Sequence, residues 1–348
     1  MFIHIDMDYF YAQAEEKRRP MTGGKIIIVC MYSGRTADSG VVSSVNYKGR
    51  ALGIHAGMPI IQAKKRAPAP ESIFLPADRE YYGAVSQQID AVIRSKLDKV
   101  VQASVDEWNG EDQGAAGKAQ VVKDAILKAS GLACSVGVAP SLLGAKMAAS
   151  KCKPDGILIL AAPEEKKMID ESAVEKVPGI GPKTAEALSQ IGIKRVKDIA
   201  KADPTILSEI FGRKTGSWLI DIGNGRYSAI LGEEKEQEEV SRIGTLKEMT
   251  RDPYFILAKA DELEKEAKEW LLAMKKSYQT MGLIFITDDM KTHTKSISFK
   301  KPRGWSEDNR KEKESLLREF LESNPRQVRR IGIRFGNFMD LGKQTTLF

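Results

Sequence analysis

What this chain has little of narrows it first. Its three cysteines, Cys30, Cys134 and Cys152, are odd in number and scattered, with no CxxC pair and no histidines close by. That pattern excludes a disulfide framework and a structural zinc site, and the thiols are expected to be reduced and partly buried. No run of about 18 apolar residues occurs, so no membrane span is expected. The start of the chain lacks a basic stretch followed by an apolar one, which argues against a signal peptide and for a cytoplasmic protein. No internal repeat stands out.

Charge of one sign is also scarce, with a net of only +7 over 348 residues, but it is unevenly placed. From residue 241 onward there are 22 Lys+Arg against 16 Asp+Glu, whereas the first 240 residues carry 32 against 31. A localised basic surface is the footprint of contact with a polyanion such as nucleic acid; a solvated surface is the plain alternative.

The length calls for more than one core. Residues 1–165 alternate short apolar runs (FIHI, KIIIVC, SIFLP, CSVGVA, GILIL) with helical stretches, and the Gly, Pro and Ser of 19–76 suggest a small insertion there. Short helices punctuated by glycine fill 166–231, and the charged GEEKEQEEVS at 232–241 reads as an exposed linker. The remainder is ordered strand, helix, strand, strand, helix, strand, a split βαβ unit with two helices on one face of four strands. The fold class is therefore α+β and multidomain.

Three carboxylates stand where strands are expected: Asp6 in FIHIDMD, and Asp106 with Glu107 in VVQASVDEW. An ionised carboxylate costs several kcal/mol to bury, and a divalent cation is the usual compensation when several converge. Oxygen ligands alone favour Mg²⁺ or Mn²⁺. A strand over 2–8 places His4, Asp6 and Asp8 on one side and Ile3, Ile5 and Met7 on the other. Carboxylates from separate strands are what two ions roughly 3.5 to 4 Å apart require for phosphoryl transfer. Taken singly, each carboxylate could equally cap a turn or pair with a lysine.

KVPGIGPKTAEALSQIGI at 176–193 has the pattern of a helix-hairpin-helix. Gly179 and Gly181 flank Ile180, with Lys183 just beyond, and such glycines let backbone amides approach a phosphate. Tyr47, Lys48 and Arg50 supply donors suited to triphosphate oxygens, as do Lys146, Lys151 and Lys153 in GAKMAASKCKPDG; an amphipathic helix with exposed polar residues explains either set as simply.

In order and spacing, DMDYFYAQAEE, CMYSGRTADSGVVSSVNYKGRALGIHAGMP, SVDE, SVGVAPSLLGAKMAASKCKPDG, VPGIGPKTAEAL and RRIGIRF resemble the Y-family translesion DNA polymerases, specifically the archaeal DNA polymerase IV-like branch. The likeness spans essentially the whole chain. It implies a right hand: a palm at 1–18 and 77–165, fingers at 19–76, a helix-hairpin-helix thumb at 166–231, the linker, a little finger at 242–341 and a tail at 342–348. It also implies a monomer that adds deoxynucleotides from dNTPs to the primer of a primer–template DNA, with two Mg²⁺ ions for which Mn²⁺ can substitute, and that tolerates damaged templates.

By the same resemblance Asp6, Asp106 and Glu107 are the catalytic metal-binding carboxylates, and the Met7 carbonyl is a backbone ligand. Tyr11 is the steric gate that collides with a ribose 2′-OH, and Phe10 opens the turn whose amides face the triphosphate. Tyr47, Arg50 and Lys153 match triphosphate contacts; Val42, Ser43 and Ser44 match positions over the nascent base pair. Apart from the resemblance, the strands of the last stretch carry Lys295, Lys300, Arg329, Arg330 and Arg334, with Lys291 nearby, and the uncovered face of their sheet is expected to present such side chains to phosphates. The ending LGKQTTLF is similar to the start of a sliding-clamp peptide through Gln344 and Leu347, although the later aromatic positions are absent and a frayed tail fits as well.

Departures from the family pattern are concentrated after Glu107. Trp108 is expected to add bulk beside the metals, and Asn109, Gly110, Glu111 and Asp112 to weaken the strand. Ser141 and Leu142 stand where the family commonly has Asn-Lys. These changes keep in view a catalytically weak or inactive DNA-binding protein, and the carboxylates themselves leave a nuclease as a third reading.

Overall fold

The computed structural model of the chain describes residues 1–227, 231–232 and 237–340, and the statements below concern those residues. Two compact units emerge. One comprises Met1–Cys30, Val42–Met58 and Gln62–Glu234; the other comprises Met31–Val41, Pro59–Ile61 and Lys235–Phe348. Contacts thus group residues 31–41, part of the expected fingers, with the C-terminal third of the chain.

The chain begins with β1 (Phe2–Met7), α1 (Phe10–Arg18), β2 (Ile26–Tyr32), β3 (Gly40–Val45), α2 (Tyr47–Ala51), α3 (Ile60–Arg66) and β4 (Ser72–Pro76). Next come α4 (Arg79–Arg94), β5 (Lys99–Gln102), β6 (Glu107–Glu111), α5 (Ala115–Ser130), β7 (Cys134–Ala139), α6 (Leu142–Lys151) and β8 (Ile157–Ile159). A five-stranded sheet has the order β5-β6-β1-β7-β8, and a separate small sheet has the order β3-β2-β4.

β1 lies at the centre of the larger sheet, antiparallel to β6 and β7, and all six of its residues are buried. Ile3, Ile5 and Met7 join one core with Ile89 and Ile93 of α4 and Val122 and Ile126 of α5. On α4 the buried Tyr82, Ser86, Ile89 and Ile93 recur at helical spacing, and Asp78 caps its start by accepting from the Tyr81 amide.

The strand after Glu107 forms in full and pairs on both sides, with β1 and β5. This corrects the expectation that its composition weakens it. Period-2 alternation sends Trp108 and Gly110 to the core and leaves Glu107, Asn109 and Glu111 on the other face. Gly110 is required for space, because a Cβ there would come within 2.7 Å of Ile3. Trp108 is fully buried with its indole N–H on Asp90 Oδ1 at 3.0 Å, so its bulk points away from the carboxylates. Ser141, in place of the family's usual residue, accepts from the Gly144 amide and caps α6, and its hydroxyl donates to buried Glu165.

Next come α7 (Ala162–Glu171), α8 (Pro182–Gln190), α9 (Val196–Ile199) and α10 (Pro204–Gly223), the last broken by a kink at Gly212. Val177, Ile180, Leu188, Ile193 and Leu219 share their core. Gly179 adopts φ +97, and a Cβ at that position would press on Trp218 at 3.0 Å. The turn therefore demands glycine twice over.

The last stretch contains β9 (Glu239–Thr250), α11 (Pro253–Ala273), β10 (Lys276–Thr287), β11 (Thr292–Arg303), α12 (Arg310–Ser323) and β12 (Val328–Asp340). The sheet order is β11-β10-β12-β9, the split βαβ arrangement expected. β9 takes in the last three residues of the stretch read as linker. Leu263 and Leu271 of α11, with Leu317 and Phe320 of α12, cover one face through Leu283, Phe285, Ile331 and Ile333. A buried polar cluster links the helices: Lys313 meets Asp261 and Glu264, while Asn309 donates to Glu264 at 2.8 Å and accepts from the Tyr278 hydroxyl at 3.0 Å. Among the described residues no helix is long and apolar enough to cross a membrane.

Candidate active site

At the end of β1 the backbone register sets Asp6 directly opposite Glu107. Asp106 precedes β6 in a bend fixed by the Met7 amide, which donates to its carbonyl at 2.9 Å, and by Ser104, whose hydroxyl donates to its carboxylate at 2.6 Å. All three carboxylates line a cleft of about 310 Å³. Met7 also lines it although its side chain packs in the core, so it faces the cleft through its main chain.

Two lysines enter this acidic group. Lys153 Nζ is 2.5 Å from Asp6, and Lys146 Nζ is 2.6 Å from Glu107. Burial pushes the Asp6 carboxyl up to about 6 despite Lys153. Burial acts in the same direction on Glu107, but the hydrogen bond and charge of Lys146 together outweigh it and hold that carboxyl below its ordinary value.

Asp8 was grouped with Asp6 by alternation, and the structure separates them. β1 ends at Met7, and Asp8 turns inward, 1% exposed. Its carboxylate accepts from the Asp155 amide at 2.6 Å and the Ser135 hydroxyl at 3.0 Å, which makes it a structural anchor. Tyr47 lies 3.4 Å from the same carboxylate and does not line the cleft; burial, then the Asp8 charge, push its phenol up to about 12. Arg50 does line the cleft, its guanidinium 5.2 Å from the Tyr47 ring.

α1 opens toward the cleft. Tyr9, in a left-handed conformation at φ 39, caps its start without a side-chain hydrogen bond. The missing acceptor comes from β3: Ser44 Oγ accepts from the Ala12 amide at 3.3 Å and donates to the Tyr9 carbonyl at 3.1 Å. Phe10 and Tyr11 occupy the first turn, where amides have no partner inside the helix. Both line the cleft with Ser43 and Ser44, and the Tyr11 ring stacks on buried Tyr82 at 4.2 Å and 15°. Val42 is buried at 1% exposure and is not part of the lining.

His4 went unassigned in the sequence, although alternation puts it on the face of Asp6. It is opposite Asn109 and bonds it through Nδ1 at 2.7 Å. Burial lowers its pKa to about 4, opposed by that hydrogen bond. The signal available was the cross-strand pairing of β1 and β6, which requires the register.

Comparison with known proteins places this geometry. The model of the impB/mucB/samB family matches residues 5–150, that family's C-terminal domain matches 237–347, and a SAM-like helix-hairpin-helix tandem matches 171–221. A DNA polymerase IV of Methanosarcina acetivorans is 36% identical, covering 100% of this chain and 98% of its own. One from Saccharolobus solfataricus is 35% identical over 97% and 96%. A solved Y-family DNA polymerase chimera, Dbh-Dpo4(243-245)-Dbh, matches with TM-score 0.90 at 33% identity, over 97% of this chain and 99% of that one. The chain belongs to the Y-family DNA polymerases. It is a DNA-directed DNA polymerase of the translesion type, and membership carries a dependence on a divalent metal. The donors fit such an ion, since three carboxylates and a main chain meet at one cleft.

In this Y-family polymerase the remaining expected contacts divide. Ile180 is 6% exposed and its amide donates to the Val177 carbonyl, whereas Gly179, Gly181 and Lys183, the last in the first turn of α8, are exposed. Lys295 pairs across the sheet with core residue Leu283 and binds Glu319 of α12 at 2.7 Å. It sits on the helix-covered side of the sheet, not on the open face. Arg330 and Arg334, out of phase with the core residues Ile331, Ile333 and Phe335, point to the open face, as does exposed Lys300 beside inward-facing Phe299. Arg329 is half-buried at a register shift, and Lys291 lies in a turn, 3.6 Å from Asp289. Gln344 and Leu347 lie outside the described residues.

Proposed function

We propose that the cleft between β1 and β6 is where this polymerase joins a deoxynucleotide to a primer 3′-hydroxyl, with a palm, fingers, thumb and little finger at the boundaries given by the motifs. The observation that carries it is the meeting of Asp6, Asp106 and Glu107 with Tyr11, Arg50 and Lys153 around one cavity of about 310 Å³. Asp6, Asp106, Glu107 and the Met7 carbonyl would hold two Mg²⁺ ions, replaceable by Mn²⁺, which supply charge stabilisation for the attacking and leaving oxygens.

The chain's own groups do the rest. Arg50 and Lys153 bind triphosphate oxygens, with the first-turn amides of Phe10 and Tyr11 adding donors at a helix N-terminus. Tyr47 braces Arg50 and Asp8. The Tyr11 ring, backed by Tyr82, occupies the space a 2′-OH would need, while Ser43 is small enough to leave room over a distorted base. Gly179 and Gly181, with Lys183, contact the duplex backbone; Lys300, Arg330 and Arg334 contact phosphates without reading bases. The protein acts as a cytoplasmic monomer on primer–template DNA and dNTP, and the tail's Gln344 and Leu347 serve clamp contact.

A primer-extension assay with and without dNTPs tests this. Single-nucleotide extension is expected with Mg²⁺ and abolished in Asp106→Ala. Binding without extension supports the inactive DNA-binding alternative, and primer shortening supports a nuclease. The inward orientation of Trp108 removes the structural reason for expecting weak chemistry.

A further inference from the structure

The His4 ring is fully buried, and its Nε2 finds no hydrogen-bond partner. Buried polar atoms nearly always have one, so the orphan calls for an explanation. Asn109 Oδ1 can only accept, so the Nδ1 facing it at 2.7 Å carries the proton and Nε2 is left with a lone pair. A ring nitrogen of His4 and one carboxylate oxygen each from Asp6 and Glu107 lie within 4.8 Å of one another. That is a set of acceptors with no donor for the imidazole. Lys153 and Lys146 satisfy the two carboxylates but leave Nε2 unmet. A cation with affinity for nitrogen would satisfy all three.

We propose that His4, Asp6 and Glu107 form a transition-metal site overlapping the catalytic one, selective for Zn²⁺ over Mg²⁺, and that its occupation inhibits the enzyme. The imidazole makes the difference, because Mg²⁺ prefers an all-oxygen shell while Zn²⁺ readily takes histidine with carboxylates. Asn109 fills the supporting role typical of such sites, fixing the ring and its tautomer through the other nitrogen. A tetrahedral ion with bonds of about 2.0 Å sets its ligands about 3.3 Å apart. Small side-chain movements close the present spacing, and Lys146 and Lys153 release their partners. Asp6 and Glu107 are then drawn toward His4 and away from Asp106. The inhibition rests on the polymerase reading above; the binding does not.

The test uses the full chain free of added metal, titrated with ZnCl₂ and followed by long-range ¹H–¹⁵N spectra of its three histidines. One equivalent should shift the His4 Nε2 signal. His4→Gln and His4→Leu should each weaken Zn²⁺ binding roughly 10-fold or more, keep Mg²⁺-supported extension, and blunt its inhibition by Zn²⁺. An unmoved His4 signal, or Zn²⁺ affinity unchanged in both variants, overturns the site. Absence of Mg²⁺ extension by the unsubstituted protein would instead overturn the polymerase assignment of the cleft, and the spectra would still decide the zinc site.

Discussion

Tyr11 can act as a gate only if its ring cannot retreat, and Tyr82, fully buried and held by a 2.8 Å hydrogen bond to Glu15, blocks that retreat. Tyr11→Ala should therefore raise ribonucleotide incorporation relative to deoxynucleotide by roughly 10- to 200-fold, the range for removing a pocket contact, read as a ratio of kcat/KM values. Trp108 gives a prediction of the opposite kind. Trp108→Ala opens a cavity in the main core and removes the donor to Asp90 Oδ1, leaving Asp90 its Arg94 partner, so urea denaturation should show a loss of about 3–5 kcal/mol while the three cleft carboxylates keep their backbone positions. At this scale the sequence was legible wherever a motif or an alternation named the residue, as for Asp6, Glu107 and Tyr11. It was not legible for Trp108 or Asp8. A side chain's face depends on where its strand starts and stops, and β1 ends one residue earlier than alternation suggests.

Elements were easier to read than their polar interiors. The order of strands and helices in the C-terminal stretch follows from hydrophobic period alone, but the cluster of Lys313, Asp261, Glu264, Lys268 and Asn309 joins positions far apart in sequence. Burial works against ionised Glu264, yet its hydrogen bonds to Lys268, Lys313 and Asn309 prevail and hold its carboxyl below the ordinary 4.5. A carboxyl so depressed contributes stability that is present above the unfolded value and is lost as pH falls through the folded one. Acidification below about pH 4.5 should lower the urea midpoint of the C-terminal unit, and Glu264→Gln should flatten that dependence. At pH 7 the same variant should cost roughly 3 kcal/mol, because buried Lys313 and half-buried Lys268 are left with less counter-charge.

For the molecule as a whole, the excess of basic residues after position 240 pointed to nucleic acid before any motif did. Composition could not say which cations lie on the open face of the sheet; sheet pairing does. Arg334→Ala and Arg330→Ala should each reduce the slope of log affinity against log salt by about 0.9, and Lys295→Ala should leave it unchanged, measured by fluorescence anisotropy on a primer–template. Contacts also group residues 31–41 and 59–61 with the C-terminal residues, a division that no motif suggested. Finally, Ser44 stitches β3 to the first turn of α1. In the reading proposed above, the floor under the sugar and the wall over the base are thereby joined through one hydroxyl, so the strictness of sugar choice and the room left for the base would be set together.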